Sequence, residues 1–415
     1  MKRNIKVLGW LLSALILIAC NLGIKAAERA ISPLPSPVIT NSIPTPIPTD
    51  FTQQTPVPTM NPKSVLAITP TSTPASDTNN VNGICSQRIT LEIDGVPMKI
   101  PYCRNYALGT GSEALERAVV VIHGASRTAG NYFNYVMNAL AQVEGADTKT
   151  IILAPQFLIE EDIQSNKLGD EILYWSDGGW KRGDKSKTTD QNPRPVRISS
   201  FSVLDVILEK LSDREKFPNL VQIVIVGHSA GGQFVNRYAA GSHMPTVLSQ
   251  RSNIQIRYIV ANPSSYLYFN EVRRVDGSLD QFSVPNTADC PEYNEYKYGL
   301  EDLNNYMSTI GRQQLETQYG EREVIYLLGG EDIDPNSSQL DLSCAAMLQG
   351  SNRFERGIIY YNYLLQHFGY DITTRHKNVI IDGVGHNASD MFNSVCGIRY
   401  LFDHDPNGEC GDPDD

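Results

Sequence analysis

The sequence predicts an α/β fold, a doubly wound, mostly parallel sheet with helices on both faces and aromatic-rich insertions. Short β-branched runs recur at Ala118–Ile122, Thr150–Ala154, Val221–Val226, Arg257–Ala261, Glu323–Leu328 and Asn378–Ile381, each the length of a strand buried on both faces. Segments with helical spacing lie among them, at Asn131–Gln142, Ser200–Leu211, Gln233–Ala240, Gly311–Tyr319 and Arg353–Phe368. Such alternation is the pattern of a parallel sheet wound by crossover helices. The composition, 41 % hydrophobic and 20 % charged over 415 residues, belongs to a globular protein. A net charge of −11, with no run of Lys and Arg beyond the first six residues, argues against a nucleic-acid partner.

The first 82 residues do not share this pattern. Lys2, Arg3 and Lys6 precede an apolar run from Val7 to Ala19, shorter than a spanning helix needs, so residues 1–19 read as an export signal. The run ends Leu17-Ile18-Ala19-Cys20, which resembles the lipobox of bacterial lipoproteins. That resemblance implies cleavage before Cys20, a diacylglycerol on its thiol, and anchoring to the cell membrane on the extracytoplasmic face. A plain secretory signal, with Cys20 a bystander, is the alternative. Residues 20–82 carry eleven of the 24 prolines, interleaved with Thr and Ser. Such a stretch cannot bury enough apolar surface to form a core and is expected to be a disordered stalk. One domain, residues 83–415, is left for the chemistry.

That domain opens with two strand-like runs, Gln87–Ile93 and Pro97–Tyr102, around the hairpin signal Asp94-Gly95. It holds six cysteines, Cys85, Cys103, Cys290, Cys344, Cys396 and Cys410. An even number in an exported chain points to disulfides. Pairing of sequence neighbours, Cys85 with Cys103 and Cys396 with Cys410, is attractive among the possible connectivities. No CxxC or Cys/His spacing for zinc is present.

The run Val221–Val226 leads into Gly227-His228-Ser229-Ala230-Gly231-Gly232. A Gly-x-Ser-x-Gly between strand and helix is the pattern of a nucleophile elbow, with the serine on a sharp turn. A serine hydroxyl attacks only when a base takes its proton. Of the seven histidines, His386, in the Gly-bearing loop after the last strand, is the best candidate. His228 is expected to direct its ring away from the serine, His123 precedes Gly124 at the end of the first long strand, His243, His367 and His376 lack a supporting motif, and His404 lies in the tail. The imidazole needs a carboxylate to fix its tautomer. Glu331, Asp332 and Asp334 follow the strand Glu323–Leu328; Asp332 is favoured, Asp334 is the alternative and Glu331 the least suited. Backbone N–H groups of Ala230 and of Ala125, in the loop His123-Gly124-Ala125-Ser126, are the candidate oxyanion donors.

With these residues in place, roughly 115–400 resembles the α/β-hydrolase superfamily: His123-Gly124, the elbow at 227–231, the acid at 332 and the histidine at 386. The order Ser229, Asp332, His386 is that of the superfamily. The resemblance implies a serine hydrolase that forms an acyl-enzyme, with a carboxylic ester as substrate and no cofactor. A peptidase or amidase with the same triad, and a catalytically silent surface-binding module, are the rivals. The chain lacks the His-Gly-Gly-Gly of one esterase branch and the propeller of prolyl oligopeptidases, which weakens both substrate analogies. Two insertions, Gln156–Arg197 with Trp175 and Trp180 and Asn262–Tyr306 with Tyr266, Tyr268, Phe269, Tyr293, Tyr296, Tyr298 and Tyr306, are placed to line a cleft for acyl, aryl or sugar-bearing esters, or to pack small cores of their own. The tail Asp403-His404-Asp405-Pro406-Asn407-Gly408 matches the start of a calcium loop but lacks the exiting helix, and reads as an acidic solvated tail.

Overall fold

The structure, a computed structural model, describes residues 83–286, 288–405 and 410. The signal, Cys20, the Pro-rich stretch and most of the acidic tail lie outside the described residues. Strands β1 (Gln87–Ile93), β2 (Val96–Arg104), β3 (Arg117–Ile122), β4 (Thr150–Pro155), β5 (Gln222–His228) and β6 (Gln255–Ala261) come first. A two-strand ribbon follows, β7 (Arg273–Arg274) with β8 (Phe282–Ser283), then β9 (Glu323–Gly329) and β10 (His376–Ile381). The other eight strands form one sheet in the order β1-β2-β4-β3-β5-β6-β9-β10. β2 is antiparallel to both neighbours, and the remaining pairs are parallel. This is the mostly parallel α/β-hydrolase architecture. Asp94 and Gly95, both at positive φ, close the β1–β2 hairpin.

The helices are α1 (Ala129–Leu140), α2 (Glu160–Asn166), α3 (Ser200–Leu211), α4 (Ala230–Gly241), α5 (Met244–Ser252), α6 (Asn305–Ser308), α7 (Arg312–Gly320), α8 (Cys344–Met347), α9 (Arg353–Phe368), α10 (Ala388–Asn393) and α11 (Val395–Phe402). Side chains alternate along each strand and feed two cores. Ile223 and Ile225 of β5 join Phe201, Leu204, Phe234 and Tyr360 from α3, α4 and α9. Val224 and Val226 join Phe133, Val136, Phe392 and Leu401 from α1, α10 and α11. Helix starts are fixed by side-chain caps: Ser199 accepts from the Phe201 N–H, Asn352 from the Glu355 N–H, and Ser394 from the Gly397 N–H.

The insertions take the second of the two roles open to them. Trp175, Trp180, Tyr266, Tyr268, Phe269 and Tyr293 are all buried. Trp180 stacks on Phe157 at 5.9 Å and Tyr266 on Tyr360 at 4.3 Å. These rings bury more apolar area than a small insertion could leave wet, so they pack inward and do not form an aromatic cleft wall. Disulfides join Cys85 to Cys103, Cys290 to Cys344 and Cys396 to Cys410. The tail is not wholly solvated at its start. Asp403 pairs with Arg117 of β3 and, at 2.5 Å, with Arg257 of β6, so α11 is tied to the ends of two strands.

One half-buried carboxylate stands between α3 and α4. Asp205 accepts from the hydroxyls of Tyr238 at 2.7 Å and Tyr306 at 2.9 Å, and burial raises its pKa from 3.8 to about 6. The folded state therefore keeps a proton that the unfolded chain has released. Stability is lost as pH rises from 3.8 through about 6. Asp205→Asn should stabilise the domain by about 1–3 kcal/mol at about pH 8, with the gain vanishing near pH 3.5, as read by urea unfolding at both pH values.

Candidate active site

Ser229 stands between β5 and α4 at φ 59°, ψ −118°, a region that side chains rarely occupy and that costs about 1–3 kcal/mol. Its N–H donates to the Ala261 carbonyl at 2.9 Å. The glycines around it are set by contact. A Cβ at Gly227 would overlap the Gly231 carbonyl, and one at Gly232 would come within 2.6 Å of the Ala261 oxygen. The hydroxyl is thereby presented on a cleft of about 340 Å³ lined by Ser229, His386, His228, Ala125, Tyr132 and Gln339, among others.

His386 lies in the loop after β10. The next residue, Asn387, caps α10 by accepting from the N–H groups of Ser389 and Asp390. His386 Nδ1 is 2.7 Å from Asp332 Oδ2, so an ionised Asp332 holds the proton on Nδ1 and leaves Nε2 as the basic nitrogen. Ser229 and His386 share the cleft without a hydrogen bond between them among the described residues. Ligand-free sites commonly show such looseness, and the bond tightens when substrate is bound. Asp332 is buried, whereas Glu331 and Asp334 are exposed, and Asp334 accepts from the Asn336 N–H at 2.9 Å. Of the three acids, Asp332 is the one that meets the imidazole.

Two supports of this pair carry no recognisable sequence signal. Arg353, at the start of α9, has a side chain with 0 % exposure and places Nη1 at 3.5 Å from Asp332 Oδ1. It also donates to Ser264 Oγ at 3.2 Å, Ser337 Oγ at 2.8 Å and the Ser338 carbonyl at 3.2 Å. The arginine thus closes the loop around the acid and satisfies its second oxygen. Asn262, at the end of β6, accepts from the Gly329 N–H at 2.9 Å and donates to the Gly385 carbonyl at 3.3 Å. It ties the acid loop to the histidine loop.

His228 departs from expectation. Its ring lies on the cleft, 4.5 Å from the ring of His386 centre to centre. Val224, Val226 and His228 share one face of β5, the face that α1 and α10 cover, and the His386 loop arrives on that face. Both ring nitrogens of His228 are buried without a hydrogen-bond partner. Burial, with the charges of His386 and Arg353, pushes its pKa well below the ordinary histidine value, so it packs as a neutral ring against His386.

On the opposite side of the cleft lies the loop after β3. Ala125 lines the cleft. Ala230 is buried as the first residue of α4, with an N–H that has no acceptor inside the helix. Arg127, at φ 60°, donates to the Ala125 carbonyl at 2.9 Å and grips Asp162 with Nε at 2.6 Å and Nη2 at 3.2 Å. This two-point clamp fixes the loop. His123 donates from Nδ1 to the Gly124 carbonyl at 2.9 Å and accepts from the Phe157 N–H at 3.0 Å. Burial lowers its pKa to about 4, which makes it a neutral structural residue. Among the described residues, Cys290, Glu292 and Cys344 come together like metal ligands, but the two sulfurs are joined as a disulfide.

No family description and no curated protein matches the sequence. Solved structures with a similar chain trace include the poly(3-hydroxybutyrate) depolymerase LpqC of Bordetella parapertussis, 21 % identical over 77 % of this chain and 91 % of that one, with a TM-score of 0.49. Poly(aspartic acid) hydrolase-1 of Sphingomonas sp. KT-1 is 23 % identical over 74 % and 96 %, at 0.46. An IroE-like serine hydrolase of Shewanella oneidensis is 13 % identical over 76 % and 80 %, at 0.38. At these identities and TM-scores, no activity is carried over from them.

Proposed function

We propose that the domain is a serine hydrolase that cleaves a carboxylic ester through an acyl-enzyme. The observation that carries this reading is a strained serine sharing a cleft with a histidine whose other nitrogen is bonded to a buried carboxylate. Ser229 Oγ attacks the ester carbonyl while His386 Nε2 takes its proton. The Ala125 and Ala230 N–H groups receive the oxyanion, where each such donor contributes about 10²–10³ in rate. The imidazolium then protonates the leaving alcohol, and water, activated by the same nitrogen, releases the acid. Asp332 keeps the imidazole in the required tautomer throughout. The reading includes lipid attachment at Cys20, with the domain held off the extracytoplasmic face of the membrane by residues 20–82.

Turnover of p-nitrophenyl esters without turnover of aminoacyl anilides is the expected result. Cleavage of the anilides alone would make the protein an amidase, and cleavage of neither would make it a binding module. Asp332→Asn should lower kcat on p-nitrophenyl esters by about 10⁴, whereas Asp334→Asn stays within about threefold of wild type. The reverse ranking would move the acid to Asp334. Expressed from its full sequence, the protein should sediment with membranes and Cys20→Ala should shift it to the soluble fraction. An unchanged distribution would remove the anchor.

A further inference from the structure

The cleft that holds Ser229, about 340 Å³, is lined largely by residues that carry hydroxyls and amides. Ser126, Thr128, Tyr132 and Tyr135 come from the loop after β3 and from α1, while Asn387 and Gln339 come from the loops of the histidine and the acid. Among the described residues the aliphatic side chains on this wall are two alanines. A long acyl chain gains affinity where apolar side chains cover it, so this cleft offers little to a lipid-like ester. It offers hydrogen bonds instead.

Gln339 stands apart on that wall. It is the third residue of a turn closed by the Leu340 N–H on the Ser337 carbonyl at 3.1 Å, and it sits at φ 63°. That place ordinarily takes Gly or Asn. The turn is held at successive residues. Arg353 donates to Ser337 Oγ at 2.8 Å and to the Ser338 carbonyl at 3.2 Å, and Ser264 Oγ donates to the Gln339 carbonyl at 3.3 Å. Leu340 is buried next to it. The same Arg353 meets Asp332 at 3.5 Å, so one guanidinium braces both the turn and the acid. The Gln339 side chain, by contrast, is exposed and makes no hydrogen bond among the described residues. A backbone held in an uncommon conformation by the support of the acid thus places an unspent amide on the cleft of the nucleophile.

We propose that Gln339 is the specificity-determining residue of this site, and that the ester cleaved at Ser229 carries an oxygen-bearing substituent, a hydroxyl or an ether, next to its scissile bond. The carboxamide N–H donates to that oxygen, or the carboxamide oxygen accepts from the hydroxyl. The inference rests on the serine-hydrolase reading for the reaction and on the cleft for the binding. One neutral hydrogen bond of this kind corresponds to a preference of about five- to tenfold.

Two matched pairs of esters test it: 2-hydroxyethyl acetate against propyl acetate, and ethyl methoxyacetate against ethyl butyrate. Within each pair an oxygen replaces one carbon, on the alcohol side in the first and on the acyl side in the second. The preference is read as the ratio of kcat/KM, and dividing the wild-type ratio by that of a variant cancels the intrinsic reactivities. In Gln339→Gly the ratio for at least one pair should fall by about five- to tenfold, mainly through KM. Gln339→Asn, which keeps the amide and suits a positive φ, should retain part of the preference. The Tm of Gln339→Gly should be no lower than that of wild type, since glycine accepts the turn without strain. Equal ratios in wild type and Gln339→Gly would overturn the proposal, as would a uniform fall on all four esters with a lowered Tm, which would make Gln339 a structural residue only. A second arm needs no turnover: in Ser229→Ala protein the oxygen-bearing ester of the selected pair should raise the Tm more than its partner does, and adding Gln339→Gly should abolish the difference. Turnover without any preference or Tm difference would overturn the role of Gln339 and leave the hydrolase standing. A Gln339-dependent Tm difference without turnover of any ester by wild type would do the opposite.

Discussion

The backbone strain at Ser229 is the constraint on which the rest of the site depends. A residue held at φ 59°, ψ −118° relaxes unless its surroundings prevent it, and here the strands on either side of β5 do so. The Ala261 carbonyl of β6 takes the Ser229 N–H. The Ile122 carbonyl of β3 lies against Gly231, and the Ala261 oxygen against Gly232. Spacing of the central strands therefore fixes the turn, and the apolar runs that build those strands are as much a part of the site as the serine. The same turn leaves the Ala230 N–H without an acceptor inside the helix and sets Ser229 on the cleft that the loop after β3 also lines.

The second half of the site is assembled from chain ends that are far apart in sequence. β9 and β10 lie side by side, so the loops carrying Asp332 and His386 leave the sheet together. Asn262 bridges them, Arg353 closes the acid loop, and the Asn387 cap anchors the histidine loop to α10. Desolvation of Asp332 would be costly if it stood alone. The imidazole and the guanidinium, one on each oxygen, keep the carboxylate compensated and its geometry single. His228 adds a neutral ring against His386 without competing for its nitrogens.

Legibility in the sequence followed the physics of each element. α3 and α9 were readable to the residue because a strong apolar period coincides with Ser199 and Asn352 caps. α4 begins three residues before its helical pattern does, because Ala230-Gly231-Gly232 are chosen for close approach to strands and not for helix propensity. Short helices such as α6, α8 and α10 carry too few turns to show a period, and caps from Asn304, Ser343 and Asn387 hold them in place. The positions of Ser229, Asp332 and His386 were legible because each follows a strand. Arg353 was not, since a basic residue at a helix start ordinarily faces water. The placement of His228 could have been found from the alternation Val224, Val226, His228. The aromatic insertions were misleading, because burial of their rings depends on partners in α4, α7 and α9.

In the proposed reaction Ser229 is an activated nucleophile and not merely a residue of a tight turn. Incubation with a fluorophosphonate probe, followed by peptide mass mapping, measures this directly. The expected result is one probe per protein, located on Ser229, with labelling lost in His386→Ala. Absence of labelling on folded wild-type protein, or labelling that persists undiminished without His386, would contradict it.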